Sequence, residues 1–164
     1  MSGKMWTRET ILEILETICD PEVPVLSILD LGIVRDIQII SPQHIVITIT
    51  PTYSGCPAMN TIAMAIRMEF LSRGVEQVDI HEVLSPAWTT DWMSENGKEK
   101  LRAYGIAPPQ YQHKDVPAFG HEIVPCPICQ STHTEALSQF GSTSCKALYR
   151  CLDCLEPFDY FKCH

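Results

Sequence analysis

Two C-x-x-C pairs, Cys126-Pro-Ile-Cys129 and Cys151-Leu-Asp-Cys154, stand 21 residues apart late in the chain and constrain what that part can become. A hairpin of that length brings two knuckles around one tetrahedral ion. A segment of about 40 residues has little core of its own, so metal binding, worth roughly 10–16 kcal/mol for structural zinc, is expected to fold it. Four thiolates also suit a rubredoxin-like iron or an iron–sulphur cluster, and spacing does not separate these; structural zinc is the expectation. Cys145, within GSTSCKALYRC (Gly141 to Cys151), is a possible additional thiol that either joins the metal or packs as an ordinary cysteine, with Lys146 and Arg150 near enough in sequence to favour its thiolate. Cys163 and His164 are expected to fray, with wrapping back towards the ribbon as the alternative.

Eight cysteines in 164 residues would suit a disulfide scaffold in a secreted chain. The N-terminus MSGKMWTRETILEIL lacks the apolar run of a signal peptide, and no stretch approaches a membrane span, so a cytoplasmic protein without membrane contact is expected. At 45% apolar residues the chain can build a core. Residues 1–105 carry 8 Lys/Arg against 14 Asp/Glu, or −6, and residues 106–164 carry 4 against 6, or −2. Neither part has the basic stripe that nucleic acid requires.

Along the chain, Ile11, Leu12, Leu15 and Ile18 make one face of a helix from Trp6 to Cys19, ended before Pro21; Cys19 is expected to be buried as a small hydrophobe. The stretch DPEVPVLSILDLGIV (Asp20 to Val34) is too rich in proline for a central strand and too apolar for a free linker. It reads as an ordered loop turning at Gly32. Val34 to Ile40 and HIVITIT (His44 to Thr50) read as a β-hairpin, the second strand alternating Ile45, Ile47 and Ile49 with polar or smaller residues. Met59, Ile62, Ala63, Ile66 and Phe70 mark a long helix to Arg73, closed by Gly74, and VEQVDIHEVL follows as a third strand. The fold class is α+β: an α-β-β-α-β domain with helices on one side of a short mixed sheet, then a zinc-ribbon-like β-hairpin module. SPAWTTDWM (Ser85 to Met93) carries two tryptophans, read as packing anchors with an exposed partner surface as the alternative, and a charged helix spans Ser94 to Tyr104. The domains are 1–105, a linker at 106–122, and the ribbon at 123–164.

The turn TPTYSGCP (Thr50 to Pro57) joins strand to helix and places Cys56 beside the helix N-terminus, where unpaired N–H groups and the helix dipole favour thiolate. Asp20 and Glu22 flank Pro21 in a rigid loop. If they project near Cys56 they raise its pKa, and a bound cation would reconcile all three. Taken singly, Asp20 reads as a loop hydrogen bonder and Glu22 as a solvated charge. A thiol hydrolase needs a base near Cys56, and no histidine falls in a catalytic motif; His44 and His81 read as strand-face residues. No catalytic residue is assigned.

DPEVPV…DLGIV followed by TPTYSGCP resembles the small iron–sulphur-assembly domain of the SufT-like family over Trp6 to Leu84. SPAWTTDWM, GSTSCKALYRC and EPFDYFKCH resemble a narrower family, the D subunits encoded with bacterial phenylacetyl-CoA epoxidases. That resemblance implies a non-catalytic accessory of aerobic phenylacetate breakdown that matures the iron–sulphur flavin reductase or the di-iron oxygenase subunit. Asp20, Glu22 and Cys56 would form the assembly site, transiently holding iron or a cluster, with missing ligands supplied by a client or by a second copy in a homodimer. Cys126, Cys129, Cys151 and Cys154 would be permanent ligands. The competing classes are direct electron transfer by iron in the ribbon and a thiol enzyme acting on a thioester.

Overall fold

The computed structural model describes residues 5–162, and Cys163 and His164 lie outside them. The chain divides into two compact units, residues 1–88 and 89–164.

In the first unit, α1 (Arg8–Glu16) opens on a capping box in which the Thr7 and Thr10 side chains each accept from the other's backbone N–H. Its buried face is Ile11, Ile14 and Leu15. The helix is shorter than its apolar spacing predicts: Thr17 caps it, and Cys19 pairs with Ser27 in an isolated antiparallel bridge. That bridge turns the Cys19 thiol outward, so Cys19 is exposed and the expectation of burial fails.

β1 (Val34–Ser41) and β2 (His44–Ile49) form the expected antiparallel hairpin, and β3 (Gln77–Glu82) lies parallel to β2, giving the order β1-β2-β3. Parallel pairing of β2 and β3 needs a crossover, which α2 (Ala58–Leu71) supplies. Ile45, Ile47 and Ile49 are buried while His44, Val46 and Thr48 are partly exposed, as the alternation requires. α2 sends Met59, Ile62, Ile66 and Phe70 inward, and Trp6 meets Phe70 edge-on at 5.7 Å between ring centroids. Trp88 is buried in this unit, its indole N–H donating to the Leu31 carbonyl at 2.7 Å. His44 pairs with Asp79 across the sheet surface at 2.7 Å, a strand-face role.

The second unit starts earlier than the ribbon's cysteines suggest. α3 (Glu95–Ala103), capped by Ser94, belongs to it. The sheet has four strands in the order β4-β7-β6-β5: β4 (Ile106–Ala107), β5 (Thr134–Ser138), β6 (Lys146–Cys151) and β7 (Pro157–Phe161). Thus the division falls after Trp88 rather than at Gly105, and the start of the expected linker is a buried strand parallel to β7. The reason is aromatic packing. Ala107, Val124, Ala147, Tyr149, Phe158 and Tyr160 cluster with Cys126 and Cys151, a core larger than the knuckles alone would build.

Candidate functional site

Each unit gathers cysteine chemistry of a different kind. In the second unit the two knuckles repeat one backbone design. The N–H of the first cysteine bonds to a carbonyl five residues on, Cys126 to Ser131 at 2.8 Å and Cys151 to Glu156 at 3.0 Å. The residue after the second cysteine, Gln130 or Leu155, takes positive φ, at 64° and 66°. Backbone N–H groups also point at sulphur: Ile128 to Cys126 Sγ at 3.4 Å and Cys154 to Cys151 Sγ at 3.5 Å. The N–H groups of Cys154 and Asp153 help lower the Cys151 thiol pKa to about 7. Ser131 and His133 both bond the Asp153 carboxylate, tying the loop after the first knuckle to the second.

All four sulphurs lie within 4.8 Å of one another. Cys126 to Cys154 is 3.8 Å and Cys129 to Cys151 is 3.5 Å. A tetrahedral ion with metal–sulphur bonds of about 2.3 Å needs sulphur–sulphur edges of roughly 3.8 Å. Donor set and spacing therefore fit one tetrahedral metal ion. Cys145 does not join them. It is buried just before β6, where the Thr143 hydroxyl lies 3.0 Å from its sulphur and its carbonyl accepts from Lys162 N–H. Of its expected charge partners, Arg150 instead pairs with Glu135 and Lys146 is buried.

In the first unit the site is built on two loops. The Asp20 carboxylate is buried, and its Oδ1 accepts from the N–H groups of Glu22 at 2.7 Å and Val23 at 2.9 Å. It therefore shapes the acidic loop. The second loop is the turn Tyr53-Ser54-Gly55-Cys56, closed by Cys56 N–H to Tyr53 carbonyl at 3.2 Å. Gly55, at φ 76°, occupies the third position, where a type II turn requires positive φ. This turn draws Tyr53 and Cys56 together, and the Tyr53 hydroxyl donates to Glu22 Oε1 at 3.3 Å. Glu22 and Asp20 are close enough to act on Cys56 electrostatically. The structure thus brings together Cys56, Glu22, Asp20 and Tyr53.

Cys56 is only 8% exposed. Burial pushes its thiol above the ordinary value, and Glu22 and Asp20 push it further; the Ala58 N–H and the Tyr53 hydroxyl act in the opposite sense without cancelling the rise. The helix terminus alone suggested an activated thiolate, and desolvation outweighs it. Tyr53 is likewise raised, chiefly by burial. Among the described residues, the groups that shift the Cys56 thiol are Glu22, Asp20, the Tyr53 hydroxyl and the Ala58 N–H, none of them a histidine. Tyr53 is the member of the cluster that sequence reading missed; the Y-S-G-C turn signature was the available signal. Nearby in sequence, the Thr50 hydroxyl is buried without a hydrogen-bond partner.

Residues 8–80 match the iron–sulphur cluster assembly protein family and residues 110–162 match the PaaD zinc beta ribbon domain. A protein of Escherichia coli (strain K12), provisionally named as the D subunit of 1,2-phenylacetyl-CoA epoxidase, is 51% identical over 92% of this chain and 89% of its own length. An Fe-S protein maturation auxiliary factor of Porphyromonas gingivalis is 35% identical, covering 58% of this chain and 90% of that protein. The crystal structure of a DUF59 domain from Bacillus anthracis, 28% identical, superposes with a TM-score of 0.52 over 57% of this chain and 89% of that one. The chain belongs to the family of phenylacetyl-CoA epoxidase D subunits, joining an iron–sulphur cluster assembly domain to a zinc β-ribbon.

Proposed function

We propose that the chain is a non-catalytic maturation factor for a multicomponent phenylacetyl-CoA epoxidase, helping to assemble iron or an iron–sulphur cluster in the reductase or the di-iron oxygenase subunit. The observation that carries this reading is the incomplete, mixed donor set at α2: one buried thiol with the Glu22 and Asp20 carboxylates acting on it. Carboxylate and thiol together suit iron as a transient cargo, and a set short of a full shell can release it to a client. The names of the relatives support the same direction, since they couple the assembly domain to Fe-S maturation and the match over most of the chain to the epoxidase. Zinc is the metal we assign to the four-cysteine site, with a structural role; all four thiols of that closed shell are protein-supplied, which leaves no open position for chemistry.

An entering cation would displace the Cys56 proton, since its charge offsets that of both carboxylates. Burial keeps the Cys56 thiol protonated in the empty site, so the sulphur adds no negative charge to that of the two carboxylates until cargo arrives. Replacing Cys56 with Ser in the full chain tests the proposal. Epoxidase components produced with the variant are expected to be deficient in iron or cluster by anaerobic metal analysis, while the variant retains its fold and its zinc. Fully loaded, active epoxidase would overturn it. The same metal analysis addresses electron transfer: visible absorption and iron in the four-cysteine site would replace zinc with a redox role.

A further inference from the structure

The second unit contains a cavity of about 140 Å³, roughly that of the ~150 Å³ cavity that accommodates a benzene ring. Its apolar wall is formed by Pro109, Tyr111, Pro117, Phe119 and Tyr160. Two charged side chains, Glu122 and Lys162, also reach it. They are not equivalent. Glu122 Oε2 is engaged by the Tyr149 hydroxyl at 3.0 Å and the Gly120 N–H at 2.8 Å, which disperses its charge into the wall. The Lys162 ammonium lies 4.5 Å over the Phe140 ring and, among the described residues, forms no ion pair. Burial lowers its pKa and the charge of nearby Glu122 only partly offsets this, so an anion brought to it would further relieve a desolvated charge. The dimensions admit one ring, and Lys162 is the cationic group in a lining that also includes Thr90 and Gln139.

We propose that this cavity binds a small aryl carboxylate, its ring among Pro109, Pro117, Phe119 and Tyr160 and its carboxylate on the Lys162 ammonium. The same chemistry is offered by a free arylalkanoic acid and by a protein chain ending in an aromatic residue. The site is independent of the iron-handling reading, since it uses none of the residues of the first unit. Glu122 opposes the ligand's charge and limits affinity.

The test is titration of the zinc-loaded full chain with phenylacetate, followed by amide chemical shifts. A ligand of this size is expected to bind with a dissociation constant of about 1–10 mM. Phenylacetamide, the same shape without charge, should bind at least about tenfold more weakly, as should phenylacetate to Lys162→Gln. Glu122→Gln should tighten binding several-fold, and Val116→Trp, which fills the cavity from its exposed rim, should abolish it. Tighter binding of N-acetylphenylalanine than of phenylacetate would assign the cavity to chain termini, and weaker binding to the free acid; either supports an aryl-carboxylate site. Equal binding of acid and amide, binding undiminished by Val116→Trp, or no saturation up to about 50 mM would overturn the proposal. The acid–amide contrast on the unaltered chain decides the matter even if a variant fails to fold.

Discussion

Cys126, Cys129, Cys151 and Cys154 converge on one another, with backbone N–H groups turned toward two of their sulphurs and paired knuckle turns fixing their positions. Cys56 stands instead with carboxylates and a phenol, buried and held protonated by its surroundings. The first arrangement supplies a whole tetrahedral shell from one chain, so removing an ion from it costs folding energy. The second supplies part of a shell, so its fold must rest on something else. That something is the apolar core of Ile11, Leu15, Ile45, Ile47, Ile66 and Phe70. On the proposed function, one molecule would separate metal used as structure from metal handled as cargo by how many ligands it commits.

The largest effect should come from the closed site. Chelation of the metal, or Cys151→Ser, removes a contribution of about 10–16 kcal/mol, comparable to or larger than the ~5–15 kcal/mol stability of a typical domain. Hydrogen exchange resolved by segment should show residues 126–155 losing protection while β2 and α2 keep theirs. The aromatic cluster around Tyr149 and Phe158 makes this a real test. If β6 stays protected without metal, that cluster folds the ribbon and the metal is an addition.

The complementary change is Phe70→Ala. Phe70 is fully buried against Trp6, and a large-to-small substitution there should cost about 3–5 kcal/mol. Denaturation followed by Trp fluorescence should register the loss, and zinc content should not change. A variant that also loses zinc would mean that the two units do not fold independently.

Local periodicity and cysteine spacing were enough to read the hairpin, α2 and the four thiols, because each depends on residues close in sequence. Ile45, Ile47 and Ile49 alternate within one strand, and a knuckle closes over five residues. What escaped depends on distant partners. β4 is two residues long and becomes a strand only by pairing Ile106 with Asp159 and Ala107 with Tyr160, so nothing in the Pro-rich segment around it announces a sheet. Cys19 follows an apolar helical face yet is exposed, because the chain leaves the helix at Thr17 and bridges to Ser27. At the candidate site, Asp20, Glu22 and Cys56 were legible as motifs. The sign of the Cys56 shift was not, since it turns on burial rather than on the helix end beside it.

Asp20 sharpens the comparison at intermediate size, because it serves fold and candidate site at once. Asp20→Ala orphans the N–H groups of Glu22 and Val23, and the loss of charge-assisted bonds should cost about 1.5–3 kcal/mol. Asp20→Asn keeps an oxygen for both donors and should cost less. If iron delivery falls equally in the two variants while stability falls only in the first, the charge acts on cargo; if both properties track together, Asp20 acts only by shaping the loop.

The smallest effect concerns the protonation of Cys56. A thiol whose pKa lies above the ordinary 9.0 presents less thiolate at every pH below its midpoint, so alkylation of metal-free Cys56 should be slow near neutrality and rise with a midpoint above that value. Glu22→Gln removes a negative charge that raises this pKa, so the midpoint should fall and the rate at pH 8 should increase by less than about tenfold, the change that one pKa unit represents. Mass spectrometry of the peptide carrying Cys56 reads the rate directly and separates it from Cys19, whose exposed thiol provides the internal reference. The four ribbon thiols should stay unmodified while metal is bound. A Cys56 rate left unchanged or slowed by Glu22→Gln would mean that Glu22 does not act on the sulphur. The first unit would then offer an isolated buried thiol in place of a mixed thiol–carboxylate site, and the contrast with the ribbon would reduce to one of ligand number alone.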